Sequence, residues 1–406
     1  MHFSDVQFRH YDIVRTRIAV SPTLDYEFND HHKIYLKGMF NDFTDEETRR
    51  RRTLTTDDPF TFTEYFFGGV EHDLRYRTQN QYLSTLALGG EHHIGPVKID
   101  YQIFGSLAGE DTPDFMQMTF DDGYQAIRIG FDFTDENYPR PSFDSTAEAR
   151  STDYRNFDFD GLILESTEVS SRLITPRINI EVPYSFGIGH DGFVKFGGKI
   201  RSRTKRREVT TRNYDNYRPF NHRTIAGQGD SLILTNVSTG WSDTNFLNQG
   251  YVLEAMPDRD LVLDHIEFNY PYYVPARNAS RIDSYEQDYE FGEDIYAAYI
   301  MFEHHYNDLM ILGGLRYELT DIWLNQGYDV QQIRVNDSLG ARTIVTVNPQ
   351  DEPASQAFLL PQIQLKYALN NNINLRAAVT KTYARSNYSD IINATSRDDN
   401  NREQFF

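Results

Sequence analysis

Leu309-Met310-Ile311-Leu312-Gly313-Gly314-Leu315-Arg316-Tyr317-Glu318-Leu319-Thr320 is the stretch whose reading decides the fold. In an extended chain Leu309, Ile311, Leu315, Tyr317 and Leu319 fall on one side. Met310, Leu312, Gly314, Arg316, Glu318 and Thr320 fall on the other. A two-residue period is the signature of a strand with one apolar and one polar face. The alternating segment 295–303 precedes it, and residues 305–308 supply a tight turn, so the pair predicts a hairpin. A soluble sandwich buries the apolar face. A membrane barrel turns it to lipid and lines its interior with the Arg and Glu.

The pattern recurs with a consistent apolar side. Val14, Ile18, Val20, Leu24, Tyr26 and Phe28 oppose Arg15, Arg17, Asp25 and Glu27. Ile34 and Leu36 oppose Lys33 and Lys37; Ile99 and Ile103 oppose Lys98 and Asp100; Ile180 and Val182 oppose Glu181. Val194, Phe196 and Ile200 oppose Lys195, Lys199 and Arg201, while Leu365 and Leu375 oppose Lys366 and Arg376. A barrel strand needs about 9–11 residues to cross a bilayer, whereas a sandwich strand runs about 5–6. Several of these segments have the longer length. The reading is an all-β, antiparallel, up-and-down transmembrane barrel with about ten main strands. It places Val14, Ile18, Leu36, Ile99, Ile180, Leu315, Leu365 and Leu375 outward. Arg15, Lys37, Asp100, Glu181, Arg316, Lys366 and Arg376 then line the lumen.

The connections agree. Five are tight and rich in Asn, Asp, Gly or Pro, at residues 29–32, 95–96, 187–192, 305–308 and 370–372. Between them lie four long polar segments, 43–70, 107–170, 204–290 and 325–356, read as loops. Short turns at one rim and long loops at the other are what an outer-membrane barrel shows. Short extra hairpins are expected near residues 116–133 and 158–164.

Composition narrows the function. Forty Lys plus Arg against sixty Asp plus Glu give a net charge of −20, which argues against nucleic acid as a partner because phosphate binding needs a basic surface. Mean hydropathy is −0.61, and no run of about 18 apolar residues exists to form a membrane helix. Alternation alone suffices for a barrel, so low hydropathy is no objection. Cysteine is absent, which removes disulfides and thiolate metal sites. Met1 to Asp5 shows neither the basic nor the apolar region of an export signal, so a barrel here is expected to be a fragment of a longer chain.

Two later segments carry a family likeness. Gly292-Glu293-Asp294-Ile295-Tyr296-Ala297-Ala298-Tyr299-Ile300-Met301, followed by Leu312 to Glu318, resembles the barrel of TonB-dependent outer-membrane receptors. There a strand reading E-x-x-x-A-x-Y leads through a short turn into G-G-x-R-Y-E. Leu360-Pro361-Gln362-Ile363-Gln364-Leu365-Lys366-Tyr367 and the run from Asn374-Leu375-Arg376 to Thr382-Tyr383-Ala384-Arg385 are similar to the family's next strand pair. Ser386 stands where the family commonly has Pro. The likeness is specific over roughly 290–390 and shared only as a pattern earlier. Within the family it is most similar to large receptors of carbohydrate uptake.

The resemblance implies an incomplete barrel over residues 1–406, with about half of the family's roughly twenty-two strands. No plug domain or TonB-contacting box is recognisable. Phe406 is not read as a genuine barrel end, because residues 396–403 carry no alternating strand. The complete protein is implied to take up a scarce small-molecule ligand, an oligosaccharide or siderophore. Its partners are outer-membrane lipid and, through the missing plug and box, TonB. The fragment alone is not expected to transport. A passive porin or adhesive barrel is the alternative, and no enzyme motif is present.

Candidate sites are weighed against ordinary structural roles. The doublets His31-His32, His92-His93 and His304-His305 sit beside tight turns. Adjacent strand residues point to opposite faces, so each doublet offers one imidazole; neither metal nor cofactor is expected. The acidic runs at 42–47 and 110–114 and the run Arg49-Arg50-Arg51-Arg52 are read first as solvated charge. Calcium for the acids and lipopolysaccharide phosphates for the arginines are the sharper alternatives. Trp241, Tyr270, Tyr272, Tyr273 and Trp323 are candidate ligand contacts, since a sugar ring or aromatic chelator stacks on flat apolar faces.

Overall fold

The computed structural model describes the chain except residues 1–4, 57–64, 124–126, 133, 136, 219–231, 255, 327, 338–339, 350–352, 371, 385–395, 399–403 and 406. Ten strands form one antiparallel path: β1 (Asp5–Val20), β3 (His32–Thr56), β4 (Phe66–Ile94), β5 (Val97–Asp121), β8 (Asp158–Ser185), β9 (His190–Tyr217), β13 (Tyr289–Tyr306), β14 (Leu309–Gln326), β17 (Ala354–Asn370) and β18 (Ile373–Thr380). Each pairs with its neighbour in sequence order, as the hairpin pattern predicts. Among the described residues β1 and β18 do not pair with each other, so the sheet is open.

The segment read as one strand from residue 14 to 28 divides. β2 (Thr23–Asn29) pairs with β3, as β1 does, with a break at Ser21 and Pro22. Proline has no N–H for a ladder, so it is confined to such edges and breaks; its carbonyl still accepts from Gly38 N at 2.9 Å.

Register sorts the side chains without exception at the rows that matter. Leu24, Leu36, Leu88 and Ile103 stand directly opposite one another, as do Ile99, Ile180, Phe196, Ile300 and Leu315. On the other face Asp100, Asn179, Gly197, Tyr299 and Arg316 form one row, and Lys98, Glu181 and Lys195 another. The apolar row is uncovered: Val14 is 66% exposed, Ile103 53% and Leu375 56%. Each such side chain gains about 1.5–3 kcal/mol on leaving water, so a contiguous band of them requires an apolar surround. Aromatic residues edge the band, with Tyr26, Phe28, Tyr306 and Tyr367 toward the tight turns and Phe40, Tyr82, Tyr296 and Tyr317 toward the other end. These are the interfacial girdles of a barrel.

Gly95 (φ 59°) and Asn307 (φ 49°) take the left-handed conformation the turns need. Asn29 and Asn370 each accept backbone N–H bonds at 2.9 Å from two residues on.

The segments read as long loops are largely strand. β3, β4, β5, β8 and β9 have 25, 29, 25, 28 and 28 residues, more than twice what a bilayer crossing needs. Within the first expected loop residues 43–56 and 66–70 are strand, and residues 158–164 open β8 instead of forming a hairpin. A small hairpin, β6 (Ile127–Asp132) with β7 (Arg140–Phe143), does follow β5. A second joins β15 (Tyr328–Asp337) to β16 (Gly340–Pro349), where a structureless loop was expected. β19 (Ser396–Asp398) and β20 (Gln404–Phe405) add to β15; the motif position Arg385-Ser386 and terminal Phe406 lie outside the described residues.

The true connections fold into a cap. It comprises β6, β7, helix α1 (Ser145–Thr152), β10 (Asp243–Phe246), β11 (Tyr251–Leu253), α2 (Arg259–Asn269), β12 (Tyr273–Pro275) and α3 (Arg277–Tyr285). Its buried core takes Leu54, Leu74, Met118 and Leu162 from the strand extensions, on the face that is uncovered lower down, and Phe157, Leu234, Leu253 and Met256 from the connections. One face therefore has two covers along its length, lipid below and the cap above.

Candidate functional site

The polar face of the strand extensions is the best-organised polar surface in the molecule. The acidic and basic runs do not pair with each other along β3; they pair across strands. Asp45 and Glu47 share one face, and Arg15 Nε donates to Asp45 at 2.7 Å. Arg77 reaches Asp45 at 3.4 Å and Glu47 at 3.3 Å, and Arg75 also holds Glu47. Two residues on, Arg49 donates to Asp73 at 2.7 Å and to Gln117 at 3.2 Å, while Arg51 holds Asp73 and, at 2.8 Å, Glu71. Asp73 is wholly buried. Burial raises the Glu71 carboxyl above its ordinary range, and the Arg51 charge pulls the other way.

Arg50 and Arg52 point to the opposite face, under the cap. Arg50 pairs with Asp12 at 2.7 Å and lies 4.9 Å from the Trp241 ring, which also packs on His10. Arg52 sits over Phe143, and burial drives its pKa down to about 10. Beside it His72 is fully buried, edge-on to Phe157 at 4.5 Å, with neither ring nitrogen hydrogen-bonded, and desolvation holds it well below its ordinary value. Arg49, Arg50 and Arg52 are thus buried and Arg51 is tied to Asp73 and Glu71, which argues against the run as a lipopolysaccharide surface.

The candidate aromatic contacts separate. Tyr273 is 4% exposed, bonds His265 through its hydroxyl at 2.8 Å and packs on Tyr217 and Phe159, so it has no free face. Tyr270 shares a hydroxyl hydrogen bond with Tyr214 yet keeps 39% of its surface exposed. Tyr272 meets Tyr217 edge-on at 6.3 Å. Trp323 stands apart from them on β14, with its ring against Gly292, where an added Cβ would meet the indole at 2.1 Å.

The seven charged residues Arg15, Lys37, Asp100, Glu181, Arg316, Lys366 and Arg376 share one face by register, and the eight apolar residues share the other. The histidine doublets meet across strands: His32 and His92 approach at 3.1 Å between Nδ1 atoms, and His92 Nε2 lies 3.3 Å from the Tyr101 hydroxyl. His304 lies 3.2 Å from the Tyr184 hydroxyl and His305 pairs with Glu303 at 2.9 Å. Among the described residues no three such groups converge as a metal site requires.

One device escaped the sequence reading. Above the end of its pairing with β13, the edge of β9 is open, and side chains of α3 and of Asp288 just after it close it. Val209 N donates to Asp288 at 2.6 Å, Thr211 N to Ser284 at 2.9 Å and Asn213 N to Ser280 at 2.8 Å. β12 continues the cover at Tyr217 and Asn216. Burial raises Asp288 above its ordinary range. The spacing of Ser280 and Ser284, four residues apart, was a readable helical signal, whereas Asp288 lies beyond the end of α3.

Residues 264–404 match the family model described as the outer membrane protein beta-barrel family. No curated protein matches the chain. Among solved structures, the chain is similar to the ferric-catecholate import receptor Fiu from E. coli K12 in its closed form, at 10% identity and TM-score 0.40, covering 91% of this chain and 49% of that one. It is also similar to the ferric citrate transporter FecA in unliganded form, at 10% identity and TM-score 0.27, covering 90% and 43%. The Serratia marcescens hemophore receptor HasR, solved with hemophore HasA and heme, gives 9% identity and TM-score 0.28 over 90% and 44%. The chain spans about half the length of these receptors. The family match covers this C-terminal part of the chain, and the antiparallel sheet with its uncovered apolar band has the build of an incomplete outer-membrane β-barrel.

Proposed function

We propose that the chain forms part of the wall of a TonB-dependent uptake receptor, which captures a scarce small molecule, an oligosaccharide or a metal chelate, outside the cell and releases it inward with energy from the inner membrane. One observation carries the reading. Five strands of 25–29 residues rise far above the apolar band, with a cross-linked charged inner face and a folded cap outside. A passive pore needs only about 9–11 residues per strand, so so tall a wall favours ligand capture above the membrane. The motif likeness at residues 292–318 and 360–385 supports the same family. Tyr270 keeps the accessible face that ligand stacking requires, and we retain it with Trp241, Tyr272 and Trp323 as candidate contacts. Uptake by the full-length protein should stop when a protonophore collapses the inner-membrane gradient. Uptake that continues unchanged would identify a passive channel instead.

A further inference from the structure

On the charged face β8 and β9 set Arg177 directly opposite Lys199, and Arg201 follows Lys199 two residues along on the same side. Cations in direct cross-strand opposition repel. Some cations on this face meet an acid: Lys195 pairs with Glu181 at 3.1 Å and Arg316 with Glu318 at 2.7 Å, while Lys366 and Arg376 form a second directly opposed cation pair. Arg177, Lys199 and Arg201 have no ion pair among the described residues, and Arg201 Nε is shut off from solvent without a hydrogen-bond partner. Arg177, Arg201 and Arg316 all bear electrostatically on the Lys199 ammonium, against Glu318. Glu318 is already engaged by Arg316 and by the Tyr383 hydroxyl. The flanking positions in the same rows, Gln102, Ala297 and Ile295, supply no charge.

We propose that Arg177, Lys199 and Arg201 form an anion-binding site on the inner wall, for a solute bearing two or more oxyanion groups, phosphate or carboxylate. Cross-strand and i to i+2 neighbours lie about 5 to 7 Å apart, which suits oxyanions linked through a short spacer. The two guanidinium groups offer bidentate forks and the ammonium a point charge. A chain of net charge −20 repels anions in general, so affinity for one here must be local. The inference rests on the uptake reading only in taking this face as the water-lined interior.

The test is calorimetric titration of the full chain, folded in zwitterionic detergent, with tripolyphosphate and with citrate. Binding should weaken as salt rises. The triple variant R177Q/K199Q/R201Q should lose about tenfold in affinity or more. R172Q/R206Q/R212Q removes the same charge from the opposite face and should change affinity less than about threefold. R177K/R201K should keep most of the binding, and the single variant K199Q covers the case in which the triple does not fold. Absent binding by the parent chain, or equal losses in the two triples, overturns the site. Transport plays no part in this measurement, so a failed uptake assay and a failed titration point to different errors.

Discussion

At the scale of single residues, the account turns on charges that are costly to leave alone. Asp73 is wholly buried between Arg49 and Arg51. Replacing it with Ala leaves the buried Arg49 guanidinium with Gln117 in place of a counter-ion and Arg51 with Glu71 alone, and breaking such a buried pair costs about 3–5 kcal/mol. The D73A variant should therefore unfold at clearly lower denaturant in detergent. Removing the exposed Arg155–Asp153 pair should leave the midpoint within error. Asp122 gives a pH signature. Its Oδ1 accepts from Val70 N at 2.9 Å, its Oδ2 is buried without a partner, and burial raises its pKa from 3.8 to about 6. A raised carboxyl favours the fold below the unfolded value, and that contribution is lost as pH rises through the folded one. The stability of D122N relative to the parent should increase between pH 4 and pH 6.5 and then level off. A flat difference across that window would show that Asp122 ionises in the fold as it does in the unfolded chain.

At the scale of elements, edges and faces explain which parts were readable. In the membrane zone one face is apolar, and alternation alone located the strands from Ile34–Leu36 to Leu375. Above it the sequence 44–52 runs through Asp45, Glu46, Glu47 and four arginines with no apolar period. There the inner face is charged to meet charge on β4, and Glu46, Arg50 and Arg52 on the outer face meet the cap. Strand extension is invisible to a hydrophobic pattern when both faces find polar partners, so these residues read as loop. Register, which brings Arg77 to Glu47 and His32 to His92, is likewise a property of two strands and not of either alone. The α3 clasp on β9 is testable as an element. S280A/S284A removes the side-chain acceptors of Thr211 N and Asn213 N, a loss of about 1 kcal/mol each. Amide exchange at Thr211 and Asn213 should accelerate while Ile200, paired with β13, stays protected. Equal exchange in both forms would mean the edge is closed by other means.

For the whole molecule, the central claim is that a single sheet has lipid against one face and water against the other, with a cap taking over from lipid above the aromatic girdle. The chain contains no cysteine, so each introduced thiol reports one position without a background. Spin labels at consecutive positions of β8 and β9, and at Leu315 and Arg316 of β14, in liposomes should alternate. Labels at Ile178, Ile200 and Leu315 should be relaxed by oxygen, which concentrates in the bilayer. Those at Arg177, Lys199 and Arg316 should be relaxed by a water-soluble nickel chelate. The account predicts this two-residue alternation through the band and its loss at Leu162 and Tyr214, where the cap shields the same face from both agents. Uniform access of the nickel chelate to both faces of the band would contradict it.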